Sequence, residues 1–443
     1  MKRRLLFGSI SLAVAFIAVG SFFFQRRIKP IPVNEVFPGK VWSAVVPQLP
    51  DLEGVGAPTA KNCSKCHGDI YEEWQSSTHA HALSDLQFQA ELAKSSSPKW
   101  ICLNCHIPIQ NQRETIIQAL NYGDYFQPIE IPNQKFDSKM QGEGVTCATC
   151  HVRVDDLGKS YVIGANGNTT PPHPVRVDKK SLGDRCENCH NETYNLNKSL
   201  VCYFQTGNEM REASSHFPGA SCVSCHLPEI KRSFVKKDLN KPIRTSHKHG
   251  FVGGGVPKEF ALYSSQLRNG YKPGVIFKNW NYKNHLLKIE IQNANAGHYV
   301  PSGDPERFLK LELQLFDAKN NLIETKNSII GQEWEWEPNA RLVKENRLRP
   351  KEIREWIVEL PNKPIQFVIF QIYHVKLKNK TAEYMMLNAS SVEEVYREKI
   401  KNLKEYYPFS SLVLEVKLDL IRQIKLETAL EDLFLRNESR RGE

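Results

Sequence analysis

The chain has 443 residues, 40% of them hydrophobic and 24% charged, which is enough for two or three domains with conventional cores. A net charge of +10 would ordinarily raise nucleic acid or an anionic membrane as partners. Eleven cysteines, none of them after His226, direct attention elsewhere, and the chain beyond about residue 251 must serve a different purpose from the part before it.

At the N-terminus Lys2-Arg3-Arg4 precedes an uncharged run from Leu5 to Phe24, which ends at Gln25-Arg26-Arg27. That run is just long enough to cross a bilayer as a helix. A cleaved signal peptide is the competing reading. The run is long for that purpose, and the best small-residue site, Ala18-Val19-Gly20, is followed by Ser21 and three phenylalanines. The expectation is therefore a single-pass inner-membrane anchor over residues 1–28. Prolines at 30, 32, 38, 47, 50 and 58 then suggest a stalk over residues 29–58.

From residue 59 the chain spells Cys-x-x-Cys-His five times: Cys63, Cys66 and His67; Cys102, Cys105 and His106; Cys147, Cys150 and His151; Cys186, Cys189 and His190; Cys222, Cys225 and His226. Two thioethers and one axial histidine are what a c-type haem requires. A zinc or disulfide CxxC pair needs no histidine at the next position. Five such histidines by chance would be on the order of one in ten million. The expected cofactors are five c-type haems, whose ten propionates would offset most of the basic excess, so no nucleic-acid partner is expected. Lys65, Arg153 and Arg185 read as propionate partners or solvated surface. Only Cys202 is left over, which excludes a disulfide framework and makes that residue a small group packed against a haem. Because c-type attachment is completed outside the cytoplasm, the body should lie on the periplasmic or external side.

Motifs begin 36 to 45 residues apart without a second shared signature, so residues 59–260 read as a loop-rich, partly helical multihaem domain. Asp69 to Ala93 has helical spacing. Each iron's sixth position must be closed by another side chain or left open. Nine histidines lie outside the motifs: His79, His81, His173, His216, His247, His249, His285, His298 and His374.

Cys63 to His67, followed by Tyr71, Trp74, Ser77 and His79-Ala80, resembles the opening of the cytochrome c-554 family of multihaem cytochromes. The likeness continues through Cys102 to His106, Gly142-Glu143-Gly144-Val145 with Cys147 to His151, and Cys186 to His190, and so covers four haems. It implies electron transfer with mostly bis-histidine iron. On that resemblance His79 is a distal ligand, and His173, within Pro171-Pro172-His173-Pro174, is another. His216 is a third candidate. His249 opens His249-Gly250-Phe251-Val252-Gly253-Gly254, similar to a run after the last haem of related cytochromes, with His247 in reserve. His81 faces solvent or a propionate.

Past residue 270 the pattern turns to period two: Leu287, Ile289 and Ile291; Leu309 to Leu315; Trp356 and Val358; Val368, Phe370 and Ile372; Leu412 to Leu420. With a turn at Ala318-Lys319-Asn320-Asn321 and helices near Ser391 to Lys404 and Leu426 to Arg436, residues 261–443 read as an antiparallel β-sandwich-like domain with terminal helices. The whole is an α+β multidomain chain. The loop Gly297-His298 to Pro301-Ser302-Gly303, like Asn346-Arg347-Leu348-Arg349-Pro350, resembles loops in the C-terminal sandwich of some multihaem cytochromes, which makes His298 a candidate ligand. His285 and His374, inside strand patterns, read as structural.

The function expected is electron carriage between a membrane or periplasmic donor, quinol included, and a redox partner protein. The alternative is an oxidoreductase acting on nitrite, hydroxylamine or a similar small N-oxide at one open haem. A docking role for the sandwich is compatible with either.

Overall fold

The computed structural model describes residues 28–40, 45–164, 170–195, 201–236, 241–253, 267–335 and 338–439. Four motifs fold within or at the edge of a short helix, Lys99–His106, Cys147–His151, Glu187–His190 and Cys222–His226, while the first follows the helix Ala60–Cys63 as a turn leading into Gly68–Gln75. A helical turn puts positions i, i+3 and i+4 on one face, so both cysteines and the histidine of a motif point the same way. The turns are capped locally. Thr59 accepts Asn62 N at 3.1 Å, and Ser221 and Ser224 bond reciprocally at 3.1 and 2.9 Å.

Between these helices lie small sheets. Strands β1 (Pro30–Ile31), β2 (Thr115–Asn121) and β3 (Pro128–Pro132) form one. β4 (Val152–Val154), β5 (Ser160–Gly164) and β6 (Val175–Val177) form another, while β7 (Thr193–Asn195) pairs with β8 (Val201–Tyr203) and β9 (Glu229–Arg232) with β10 (Arg244–His247). The side chain of Cys202 lies outside the described residues.

Two N-terminal expectations change. Residues 29–58 are not a stalk: β1 pairs with β2, Val46 N donates to Pro108 O at 2.7 Å, and Leu49 and Leu52 are each only 3% exposed. The prolines there break helices without preventing burial of the apolar residues between them. The expectation of a single-pass inner-membrane protein is likewise corrected. Among the described residues no helix is long and apolar enough to cross a membrane, and the expected span at 1–28 lies almost wholly outside them. The helical stretch expected over Asp69 to Ala93 is two helices, Gly68–Gln75 and Leu86–Leu92, with turns between them that carry His79 and His81.

The C-terminal region is a sandwich. One sheet orders β11 (Val275–Lys283), β12 (Leu286–Asn293) and β16 (Ile353–Glu359). The other orders β15 (Arg341–Glu345), β14 (Leu322–Glu335), β13 (Phe308–Phe316), β17 (Phe367–Val375), β18 (Ser410–Asp419) and β19 (Ile424–Glu427). Every pairing in the two sheets is antiparallel. Period-two residues Leu287, Ile289, Ile291, Leu309, Leu311, Leu313, Val368, Phe370, Ile372, Val416 and Leu418 fill the space between the sheets. Asn320 takes φ of 63° in the expected turn after β13. His285 is not in a strand: with Asn284 it makes a two-residue turn, φ 61° and 50°, between β11 and β12. Leu426 belongs to β19, and the last helix begins at Leu430.

The helices Asn379–Leu387, Glu394–Lys401 and Leu403–Tyr406 dock this region on the helix Leu86–Leu92. Leu86 and Ala90 pack there with Leu377, Met385, Ile400 and Leu403. Asp85 caps its helix through Phe88 N at 2.9 Å and also accepts Lys376 Nζ at 3.1 Å and Tyr407 Oη at 3.0 Å. Lys376 has a side chain only 5% exposed, so Asp85 is its necessary counter-charge. Asp85→Ala should lower the unfolding free energy by about 3–5 kcal/mol in guanidinium titrations, and Tyr407→Phe by only about 1 kcal/mol.

Candidate haem sites

Four of the five motif histidines are oriented from behind by the backbone. His67 Nδ1 donates to Phe234 O at 2.7 Å, His106 to Ala82 O at 2.6 Å, His151 to Ile163 O at 3.1 Å and His226 to Val252 O at 2.5 Å. A proton fixed on Nδ1 leaves the Nε2 lone pair for a metal. His249 Nδ1 donates to His247 O at 2.9 Å and His298 Nδ1 to Tyr299 O at 2.8 Å, so these two non-motif rings are prepared in the same way. Desolvation lowers the pKa values of His106, His151, His173 and His298, and pushes His249 down to about 3 with His151 adding like charge. Neutral imidazoles are the form that binds iron.

Three non-motif rings face motif rings at nearly one distance. Centroids are 6.1 Å apart for His79 and His190, 6.2 Å for His151 and His249, and 6.3 Å for His226 and His298. Two nitrogen-to-metal bonds of roughly 2.0 Å, plus roughly 1.1 Å from nitrogen to centroid on each side, make about 6.2 Å. The separation fits a single metal between two imidazoles, and the rings are too far apart for contact with each other. His173 lies close enough to His67 for their charges to interact, and its buried Nδ1 has no partner. His106 differs: among the described residues no imidazole faces it, and the ring against it is Phe88, stacked at 3.4 Å.

The remaining candidates are not brought to a motif histidine. His216 is exposed on a turn after the helix Thr206–Glu212. His247 Nδ1 donates to Leu227 O at 2.7 Å, and His81 Nε2 to Gln75 O at 3.0 Å. His374 is buried within β17.

Glycines and a carboxylate set the positions of three of these rings. Gly144, at φ 59°, lies so close that a Cβ would meet the His79 carbonyl at 2.5 Å, while Val145 N donates to that same oxygen at 2.9 Å and Trp74 Nε1 donates to Val145 O at 2.9 Å. Glu143 accepts Ala60 N at 2.7 Å and Lys61 N at 3.1 Å, which joins the third motif to the helix leading into the first. Gly54, at φ 74°, admits the Pro172 carbonyl beside His173. Glu73 takes Arg232 in a fork at 2.6 and 3.0 Å and also accepts His249 N at 2.8 Å.

Buried polar atoms without partners concentrate at the motifs: Thr149 Oγ1 inside the third, Arg113 Nε, Arg153 Nη2, Arg232 Nε and His173 Nδ1. Arg153 and Arg185 also repel each other, and Cys150 lies within charge range of both. Asp178 is within charge range of Arg153 but forms no ion pair with it among the described residues, and two converging guanidiniums suit the propionates of a haem. Paired motif cysteines, neutral opposed imidazoles and converging guanidiniums together fit that cofactor.

Residues 62–124 match the family described as cytochrome c554 and c-prime, a span that takes in the first two motifs. The fold is similar to a penta-heme cytochrome c552 from Thermochromatium tepidum, with a TM-score of 0.52, 20% identity, and coverage of 75% of this chain and 95% of that one. A search of curated proteins returns no match. The family match spans the first two attachment motifs and the structural likeness is one of fold; both support c-type haem attachment and an electron-transfer or other redox role.

Sequence reasoning named His79, His249 and His298 but not what holds them. The charged pairs Glu73–Arg232 and Glu209–Arg347 join residues far apart in the chain, and the only prior signal was Arg347 in its Asn-Arg-Leu-Arg-Pro segment. Gly144→Ala combines a left-handed backbone with a collision at the His79 carbonyl. It should cost more than about 1 kcal/mol in denaturant unfolding.

Proposed function

We propose that this chain is an electron carrier with five c-type haems, four of them closed by His79, His173, His249 and His298, and that it passes electrons between redox partner proteins. Haem, when bound, supplies reversible one-electron iron chemistry. The protein's contribution is to hold the rings in opposed pairs, keep them neutral and bring the attachment sites together.

The observation that carries this reading is the mutual closeness of the motifs. Cys63 lies within thiol hydrogen-bonding reach of Cys147, Cys105 of Cys189, and Cys186 of Cys222, while Cys150 lies within charge range of Cys189. No motif is isolated. The fourth stands at the centre, next to the second, third and fifth, an arrangement that supports a continuous electron path.

A second reading, reduction or oxidation of a small N-oxide, is favoured by one observation. Among the described residues His106 faces no imidazole, and Arg113, pushed down to about 9 by burial, places a cation near Cys105 and Cys102.

Haem content by the pyridine haemochrome assay should be five per chain. Electron paramagnetic resonance should show four low-spin centres, and His79→Ala or His249→Ala should each convert one of them to high spin. Carriage predicts fast reduction and no turnover on adding nitrite or hydroxylamine. Rapid substrate-driven redox change at the high-spin centre would overturn it in favour of the second reading.

A further inference from the structure

We infer that Glu209 and Arg347 are positioning residues that lock His298 opposite His226, so that closure of the fifth motif's metal depends on the sandwich staying docked. This rests on His298 serving as a distal ligand, as proposed above.

His298 sits on the loop between β12 and β13, in the sandwich, while His226 belongs to the cytochrome region. Its own side chain makes only a local bond, to Tyr299 O, so its place is inherited from the loop. Glu209, on the helix Thr206–Glu212, gathers that loop from the other region: its carboxylate accepts Tyr299 N at 3.2 Å, Ser302 Oγ at 2.7 Å and Arg347 Nη1 at 2.6 Å. Arg347 turns its other edge to Glu345, at 2.9 Å from Nε and 2.7 Å from Nη2, and lies over the Tyr299 ring. Behind the loop, Val300 and Leu348 exchange backbone bonds, and Asn293 Nδ2 reaches His298 O at 3.0 Å.

Glu209 is 4% exposed and Arg347 6%. A buried ion pair is a poor source of stability compared with apolar packing, but it fixes geometry strongly because either charge alone cannot remain there. The pair Glu73–Arg232 does the same for His249, again with a carboxylate accepting a backbone amide of the ligand loop. The difference is location. Glu73 and Arg232 both lie in the cytochrome region, whereas Glu209 and Arg347 span two regions and make one iron's coordination report on their contact.

The test uses the full-length holoprotein in Glu209→Gln, Arg347→Gln, Arg347→Lys and His298→Ala forms at equal haem content. High-spin signal and carbon monoxide binding are measured against the unaltered protein. His298→Ala should add one high-spin, carbon-monoxide-binding haem. Glu209→Gln and Arg347→Gln should add a large part of that same signal, and Arg347→Lys, which keeps the charge, should add less. If a charge variant fails to take up its haems, Ser302→Ala decides, since it removes one bond to Glu209 without stranding a charge. It should raise carbon monoxide binding a few-fold. If His298→Ala opens the site while the Glu209, Arg347 and Ser302 variants keep the unaltered spectrum, the positioning role is wrong and the ligand reading stands. If His298→Ala changes nothing, the ligand reading itself falls, and the inference with it.

Discussion

Two imidazoles facing each other with centroids just over 6 Å apart do not touch, and nothing in their own attraction would hold them there. Each pair is a geometric demand placed on chain segments that are distant in sequence: His79 against His190, His249 against His151, His298 against His226. An error of an ångström would turn a two-sided metal site into a one-sided one. Much of what surrounds the motifs meets that demand. Carbonyls fix the ring orientations, glycines allow backbones to approach, and carboxylates gather ligand loops.

This explains why so little regular structure is needed before residue 250. A helical turn suffices to present two cysteines and a histidine on one face. Attached haems would supply apolar mass that side chains otherwise provide. What remains is polar work, and it falls to pairs such as Glu73–Arg232, whose side chains are 17% and 11% exposed and whose bonds reach the His247 carbonyl and the His249 amide. The sandwich behaves differently. Its core of Leu, Ile, Val and Phe stabilises a rigid body on which a single loop carries His298.

Legibility in the sequence followed the range of the interactions. The motifs and the period-two strands are local patterns, and Leu309 to Leu315 or Val368 to Ile372 read correctly because burial on one face of a sheet leaves its mark every second residue. Rings that face a motif histidine are non-local. His79 and His249 were named through the resemblance of their neighbours, while His216 offered a plausible spacing that the fold does not use to face a motif ring. The proline-rich stretch before residue 58 misled because composition reports backbone stiffness and says nothing of what Leu49 and Leu52 pack against. The break between Gln75 and Leu86 was hidden by apolar residues that keep helical spacing on both sides of a turn.

His106 marks where the construction is deliberately asymmetric. Its orientation is fixed as firmly as the others, by Ala82 O behind and by Phe88 flat against its face. Phe88 in turn lies on the helix capped by Asp85, and Asp85 is held by Lys376 and Tyr407 of the C-terminal region. The sandwich side reaches the cytochrome region at several places, among them through Glu209 to the fifth motif and through Asp85 to the second. At one it contributes an imidazole; at the other it steadies a helix whose phenylalanine contributes none. The same docked region thus supports both the ring that faces His226 and the helix whose phenylalanine covers His106, a motif histidine that no imidazole faces among the described residues.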